Sequence, residues 1–318
     1  MKRMFTTPFA WVLGLTLCLM APITLAQQKL PVVASFSILA DMVREVGGDL
    51  VEVTSLVGPN ADAHGFEPTP SDAKRLAQAK LVVVNGLNFE GWTNRLIKSS
   101  GYKGEVVIAS KGVKTIPLPP RSNKDSAQHG HNHGHSHGHN HGDIDPHAWQ
   151  SLDNANIYVK NITAGLLRAL PAQSEQIKAR EQAYLKRLDE MNMNARAAFA
   201  AIPTEKRRAI TSHDAFGYLA RAYGIQFFSP QGWSTDREAS AADVARINRQ
   251  IRDQKITALF VEQSSDSRLL ERIAKDTGVK IGGTLYSDAL SAPGTEADTY
   301  LKMYAYNVDT LVKGLQQN

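Results

Sequence analysis

Cysteine is nearly missing from this 318-residue chain: Cys18 is the only one. It lies in an N-terminal segment where Lys2 and Arg3 precede an apolar run from Phe9 to Met20, and Thr24 and Ala26 supply the small residues a signal peptidase reads. Residues 1–26 therefore read as a cleaved signal peptide. The mature chain would then have no thiol, no disulfide and no cysteine ligand, so any metal chemistry falls to His, Asp and Glu. Leu17, directly before Cys18, is not the small residue that lipid attachment requires, which argues against an acylated anchor or an adhesin-like surface protein. No later apolar run is long enough to span a bilayer. The excess of positive charge is small too. The formal net charge of +5 falls to +3 once Lys2 and Arg3 are removed, and no basic run is interleaved with aromatics, which leaves nucleic-acid binding without support. Export, length and these absences point to a soluble, monomeric protein of the bacterial periplasm, long enough for two packed domains.

What the chain has in abundance is histidine in one place. Seven of its ten histidines, His129, His131, His133, His135, His137, His139 and His141, stand at alternate positions, separated by Gly, Asn and Ser. Imidazole is the commonest side-chain ligand for borderline metals such as zinc. The tract has no apolar face to bury and reads as a mobile loop, about 119–143, that binds further zinc weakly.

Around the tract, strand and helix patterns alternate. Val32 to Phe36, Val51 to Val57, Leu81 to Val84 and Val106 to Ala109 are short, continuously apolar strands, with helices between them at Ile38 to Val46, about Ser71 to Ala79, and about Phe89 to Ser99. Strands buried on both faces argue for a parallel sheet covered by helices. Ser151 to Leu170 is helical. A second helix, which Pro171 can open and which is unbroken to about Ala201, has about 28 residues, would span about 40 Å at 1.5 Å per residue and reads as a rigid strut. Alternation resumes to the C-terminus, with a final helix from about Glu296 to Leu315. The expected architecture is α/β, with two lobes joined by the strut: an N-terminal lobe at 27–170, the linking helix at 171–201 and a C-terminal lobe at 202–318. A ligand would sit in the crevice at the strands' carboxyl ends.

The three histidines outside the tract, His64, His147 and His213, each fall in a loop beside a strand or helix end, and Asp288 occupies the comparable place after the last strand. Three imidazoles and one carboxylate would fill a tetrahedral zinc shell. Spacing alone leaves plainer roles open: a turn residue for His64, helix caps for His147 and His213, an N-cap for Asp288. Glu67 and Glu262 are candidates to accept from an imidazole N–H behind the ion.

Joint motifs narrow these alternatives. His64-Gly65-Phe66-Glu67-Pro68, Asp145-Pro146-His147-Ala148-Trp149, Ser212-His213-Asp214-Ala215-Phe216-Gly217-Tyr218, Phe260-Val261-Glu262 and Gly282 to Asp288 run through nearly the whole mature chain. In these the chain resembles the cluster A-I solute-binding proteins of zinc and manganese ABC transporters. The resemblance implies two α/β lobes on one long helix, metal ligands His64, His147, His213 and Asp288, no enzymatic activity, and delivery to an inner-membrane permease. The stretch Tyr286 to Ser291 is most like the Azt-type zinc proteins, which implies a periplasmic zinc metallochaperone as a partner. The family's manganese binders usually carry glutamate where this chain has His213, and imidazole there favours zinc. A receptor for manganese or a broad range of divalent ions is the alternative. A secreted metalloenzyme fits less well, because four protein ligands leave no position for an activated water.

Overall fold

A computed structural model describes residues 28–118, 144–235 and 238–316. The expected signal peptide and the seven-histidine tract lie outside the described residues. Among those described, no helix is long and apolar enough to cross a membrane.

Two four-stranded sheets, each all parallel, form the frame. The first contains β1 (Leu30–Phe36), β2 (Val51–Val57), β3 (Leu81–Val84) and β4 (Glu105–Ile108) in the order β2-β1-β3-β4. The second repeats that order as β6-β5-β7-β8, from β5 (Arg208–Ile210), β6 (Gln226–Phe228), β7 (Ala258–Glu262) and β8 (Lys280–Leu285). Val32, Val33, Ala34 and Phe36 of β1 and all four residues of β3 are buried, as strands covered on both faces must be.

Around the first sheet lie α1 (Ser37–Gly47), α2 (Pro70–Gln78), α3 (Thr93–Ser100) and α4 (Leu152–Ala169). α2 starts where Thr69 and Asp72 form a reciprocal capping box. Gly165 of α4 lets the helix settle on the sheet, since a Cβ there would collide with the Val107 side chain. The strut is α5 (Ser174–Ala200); a separate 3₁₀ turn over Pro171–Gln173 precedes it, so the helix starts three residues later than the pattern suggests. α6 (Gly217–Tyr223), α7 (Ala241–Asp253), α8 (Arg268–Thr277) and α9 (Tyr300–Gln316) complete the second lobe.

Two other helix starts differ from the sequence expectation. α3 starts at Thr93 rather than about Phe89, because residues 89–92 are taken up by turns, Phe89 N donating to Gly86 O and Thr93 N to Glu90 O. α9 starts at Tyr300 rather than about Glu296, because residues 291–298 close a loop of their own, with Ser291 Oγ accepting from Ala297 N and Asp298 accepting from Gly294 N.

One apolar cluster runs from the first sheet through Ile177, Tyr184, Leu188 and Phe199 of α5 into the inner face of the second lobe at Phe260, Tyr300 and Tyr304. A smaller cluster, including Ile210, Ile247, Leu259 and Ile273, lies under α7 and α8. Buried hydrogen bonds also cross between the lobes. Trp149 Nε1 and Gln150 Nε2 both donate to Ser287 O, Leu290 N donates to Ser37 Oγ, and Tyr300 N donates to Asp41 Oδ2 at 2.8 Å.

Candidate metal centre

Four strand-to-helix connections at the crevice each deliver one side chain. His64 follows β2, His147 follows β4, His213 follows β5 and Asp288 follows β8, so each lobe presents two groups at the carboxyl ends of its strands. One ligand atom from each of the four lies within 4.8 Å of the other three. Their side chains are 2 % (His64), 0 % (His147), 0 % (His213) and 1 % (Asp288) exposed.

The separations have the scale of a small coordination shell. His64 Nε2 and His147 Nε2 are 3.3 Å apart, and His213 Nε2 is 3.2 Å from Asp288 Oδ2. His64 Nε2 is 3.6 Å from the same oxygen, and His147 Nε2 is 3.7 Å from Asp288 Oδ1. A tetrahedron with bonds of about 2.0–2.1 Å has edges of about 3.3 Å. Both Asp288 oxygens and His213 Nε2 are buried without a hydrogen-bond partner. Buried polar atoms left unpaired are costly, and a cation among them removes that cost.

Behind the donors, two carboxylates fix the rings. Asp145 Oδ1 accepts from His147 N at 2.9 Å and lies 2.7 Å from His147 Nδ1. Glu262, the last residue of β7, does the same for His213: Oε1 accepts from the backbone N at 2.9 Å and Oε2 lies 2.7 Å from Nδ1. A carboxylate on Nδ1 holds the proton there and turns an unprotonated Nε2 toward the ion.

Glu67 holds no such place. It is exposed and has no hydrogen bond to His64; the carboxylate next to His64 is Asp62, whose Oδ1 accepts from His64 N at 2.8 Å. Around His64 the chain buries Ala63 and packs Phe66 on Trp92, ring centroids 4.9 Å apart, and leaves Glu67 at the surface. The sequence reading also passed over Asp145 as a ring partner; its position two residues before His147 was the available signal.

Burial and charge set the protonation of the unfilled site. Burial pushes His64 down to about 3, opposed by Asp288. Burial acts on His213 in the same direction, yet Glu262 and Asp288 outweigh it and hold that imidazole well above its ordinary value. Asp288 is also buried, but the imidazoles facing it, His213 foremost, keep its carboxyl below the usual carboxylate range. A cation entering the site takes over the role of the His213 proton.

The chain matches the family described as zinc-uptake complex component A, periplasmic (ZnuA), over residues 32–314. It belongs to that family. The metal ABC transporter substrate-binding lipoprotein FimA of Streptococcus parasanguinis is 32 % identical, the match covering 97 % of this chain and 96 % of that one. The manganese ABC transporter substrate-binding lipoprotein PsaA of Streptococcus anginosus is 31 % identical, over 91 % and 90 %. Among solved structures, the periplasmic zinc-binding protein TroA of Treponema pallidum superposes with a TM-score of 0.78 at 32 % identity, covering 91 % of this chain and 99 % of that one. A manganese-bound periplasmic metal-binding protein from Candidatus Liberibacter asiaticus superposes with a TM-score of 0.77 at 27 % identity, over 90 % and 100 %. Family membership makes the chain a periplasmic metal-binding receptor of an ABC transporter, not an enzyme, and the buried three-histidine, one-aspartate cluster is its metal site.

Proposed function

We propose that this receptor carries zinc. One ion is held by His64, His147, His213 and Asp288 and passed to the membrane permease. The observation that carries this reading is the donor set: three imidazoles and one carboxylate, with edges near those of a zinc tetrahedron. Imidazole suits zinc, and at a site of given donors manganese binds more weakly than zinc. Manganese, or a range of divalent ions, is the second reading. Asp288 favours it by turning one oxygen to His147 and the other to His64 and His213, as a bidentate ligand for a larger ion would. The relatives' names divide between zinc and manganese.

Within the zinc reading, His129 to His141 take up further zinc weakly, and the chain is an Azt-type monomer, loaded by a periplasmic metallochaperone. The lobes are 27–170 and 202–318, with 171–201 between them. Calorimetry of the metal-free protein with zinc and manganese in chelator competition tests the choice of ion. The expected result is one tight zinc site with a dissociation constant well below micromolar and a manganese affinity at least about tenfold weaker; equal affinities, or tighter manganese, would overturn it. Deleting residues 129–141 should remove the weak stoichiometry and keep the tight site.

A further inference from the structure

Between β3 and α3 the chain makes a turn that the four ligands do not explain. Gly86, Leu87 and Asn88 follow one another at φ 83°, 53° and 61°. A left-handed leucine is disfavoured and persists only where its surroundings impose it.

A buried carboxylate imposes it here. Glu90 Oε1 accepts from Ser35 Oγ on β1 and from Asn85 N at 2.6 Å, and Oε2 accepts from Gly86 N at 3.3 Å. Phe89 N closes the turn by donating to Gly86 O at 3.1 Å. The Asn85 side chain, wholly buried, ties the turn to the rest of the lobe. Its Nδ2 donates to Pro146 O at 3.0 Å, directly before His147, and its Oδ1 accepts from Tyr158 OH on α4.

This knot delivers two things to the metal site. It holds the carbonyl next to His147, and it packs the buried Phe89 ring against two of the ligands at once. The Phe89 centroid lies 4.7 Å from that of His64 and 5.8 Å from that of His147, backed by Phe36 at 5.1 Å and Trp149 at 4.7 Å. Neither Glu90 nor Asn85 touches the ligand atoms.

We propose that Glu90 and Asn85 are positioning residues for the metal site, folding residues 85–90 into a wedge that sets the angle between His64 and His147. The inference rests on the four-ligand reading of the site. The wedge thereby tunes which ion the receptor prefers, because the geometry of a site acts beside its donor types in selecting the ion.

Cobalt(II), whose visible spectrum reports coordination geometry, is the probe. It is titrated into the metal-free wild-type protein and into E90Q, Y158F and V107A. E90Q points an amide N–H₂ at a backbone N–H in place of an acceptor. Y158F removes the hydroxyl that orients Asn85, with no change near the ligands. V107A weakens the core of the same sheet and controls for lost stability. The expected result is a shifted, altered cobalt band and about a tenfold change in the zinc-to-manganese affinity ratio in E90Q and Y158F, with neither change in V107A. Should E90Q fail to fold, Y158F decides. Wild-type spectrum and ratio in the folded variants, or the same shift in V107A, would overturn the wedge. A wild-type protein with no cobalt bound at the four ligands would instead overturn the site itself.

Discussion

The two lobes share a strand order but anchor their histidines differently. In the N-terminal lobe the ring partner of His147 is local: Asp145, two residues earlier, takes both the backbone and the ring of His147. In the C-terminal lobe the partner of His213 comes from the end of another strand, 49 residues away. Among the described residues no carboxylate besides Asp288 pairs with the His64 ring, and Phe89 and Trp233 pack on it. The lesson is that one histidine is held by its own loop, one by the sheet and one by packing. Damage to each should therefore have its own signature.

The largest effect should come from removing the sheet-anchored ligand. His213→Ala is expected to weaken zinc binding by more than about 100-fold, beyond the usual cost of losing a partner behind a ligand, as measured by chelator competition. Unchanged affinity would dissolve the comparison along with the site. Next come the two partners themselves. Glu262→Gln should cost more than Asp145→Asn, within about 10–100-fold for each. The reason is that Glu262 is fixed by β7, whereas the loop around Asp145 can readjust. Equal losses in parallel titrations would show that sheet and loop anchoring are equivalent.

A smaller effect concerns pH and the seam between the lobes. Burial raises Asp41 to about 6 from an ordinary 3.8, partly offset by the N–H of Tyr300 that it accepts across the seam. The folded chain then holds a proton between pH 3.8 and 6 that the unfolded chain has released. This group's contribution is favourable at pH 4 and is lost as pH rises through 6, a span of about 3 kcal/mol for a shift of this size. The difference in unfolding free energy between wild type and Asp41→Asn should therefore change between pH 4 and 7, by denaturant titration of the metal-free protein. A constant difference would refute the assignment. Glu67→Gln is the smallest: zinc affinity within about twofold of wild type, since an exposed carboxylate distant from the rings does little.

Most of the architecture could be read from pattern. Continuous apolar strands such as Leu81 to Val84 announce burial on both faces, and α4 and α5 carry helical periodicity, so two parallel sheets and a strut followed directly. Boundaries were lost where side chains override local preference. The turns closed at Gly86 and Glu90 postpone α3, and the Ser291 loop postpones α9. At the site, the four donors were legible through joint motifs, whereas their supports were legible only when close in sequence or at a strand end. Glu262 could be proposed from its place on β7. Glu67 looked equally good two residues beyond the His64-Gly65 pair and lies exposed, because burial after a turn is not written in spacing. The Asn85 and Glu90 knot left no pattern at all, since its meaning depends on Ser35, Pro146 and Tyr158 arriving from three other elements.

The indole and amide of Trp149 and Gln150 grip the carbonyl of Ser287, one residue before the aspartate that closes the cage. Prying the halves wide apart would tear that grip and flood an oily seam with water. Unloading is therefore better done by small slips of the rim, with the chassis left standing, and the transporter need only pluck at loops rather than pull open a jaw.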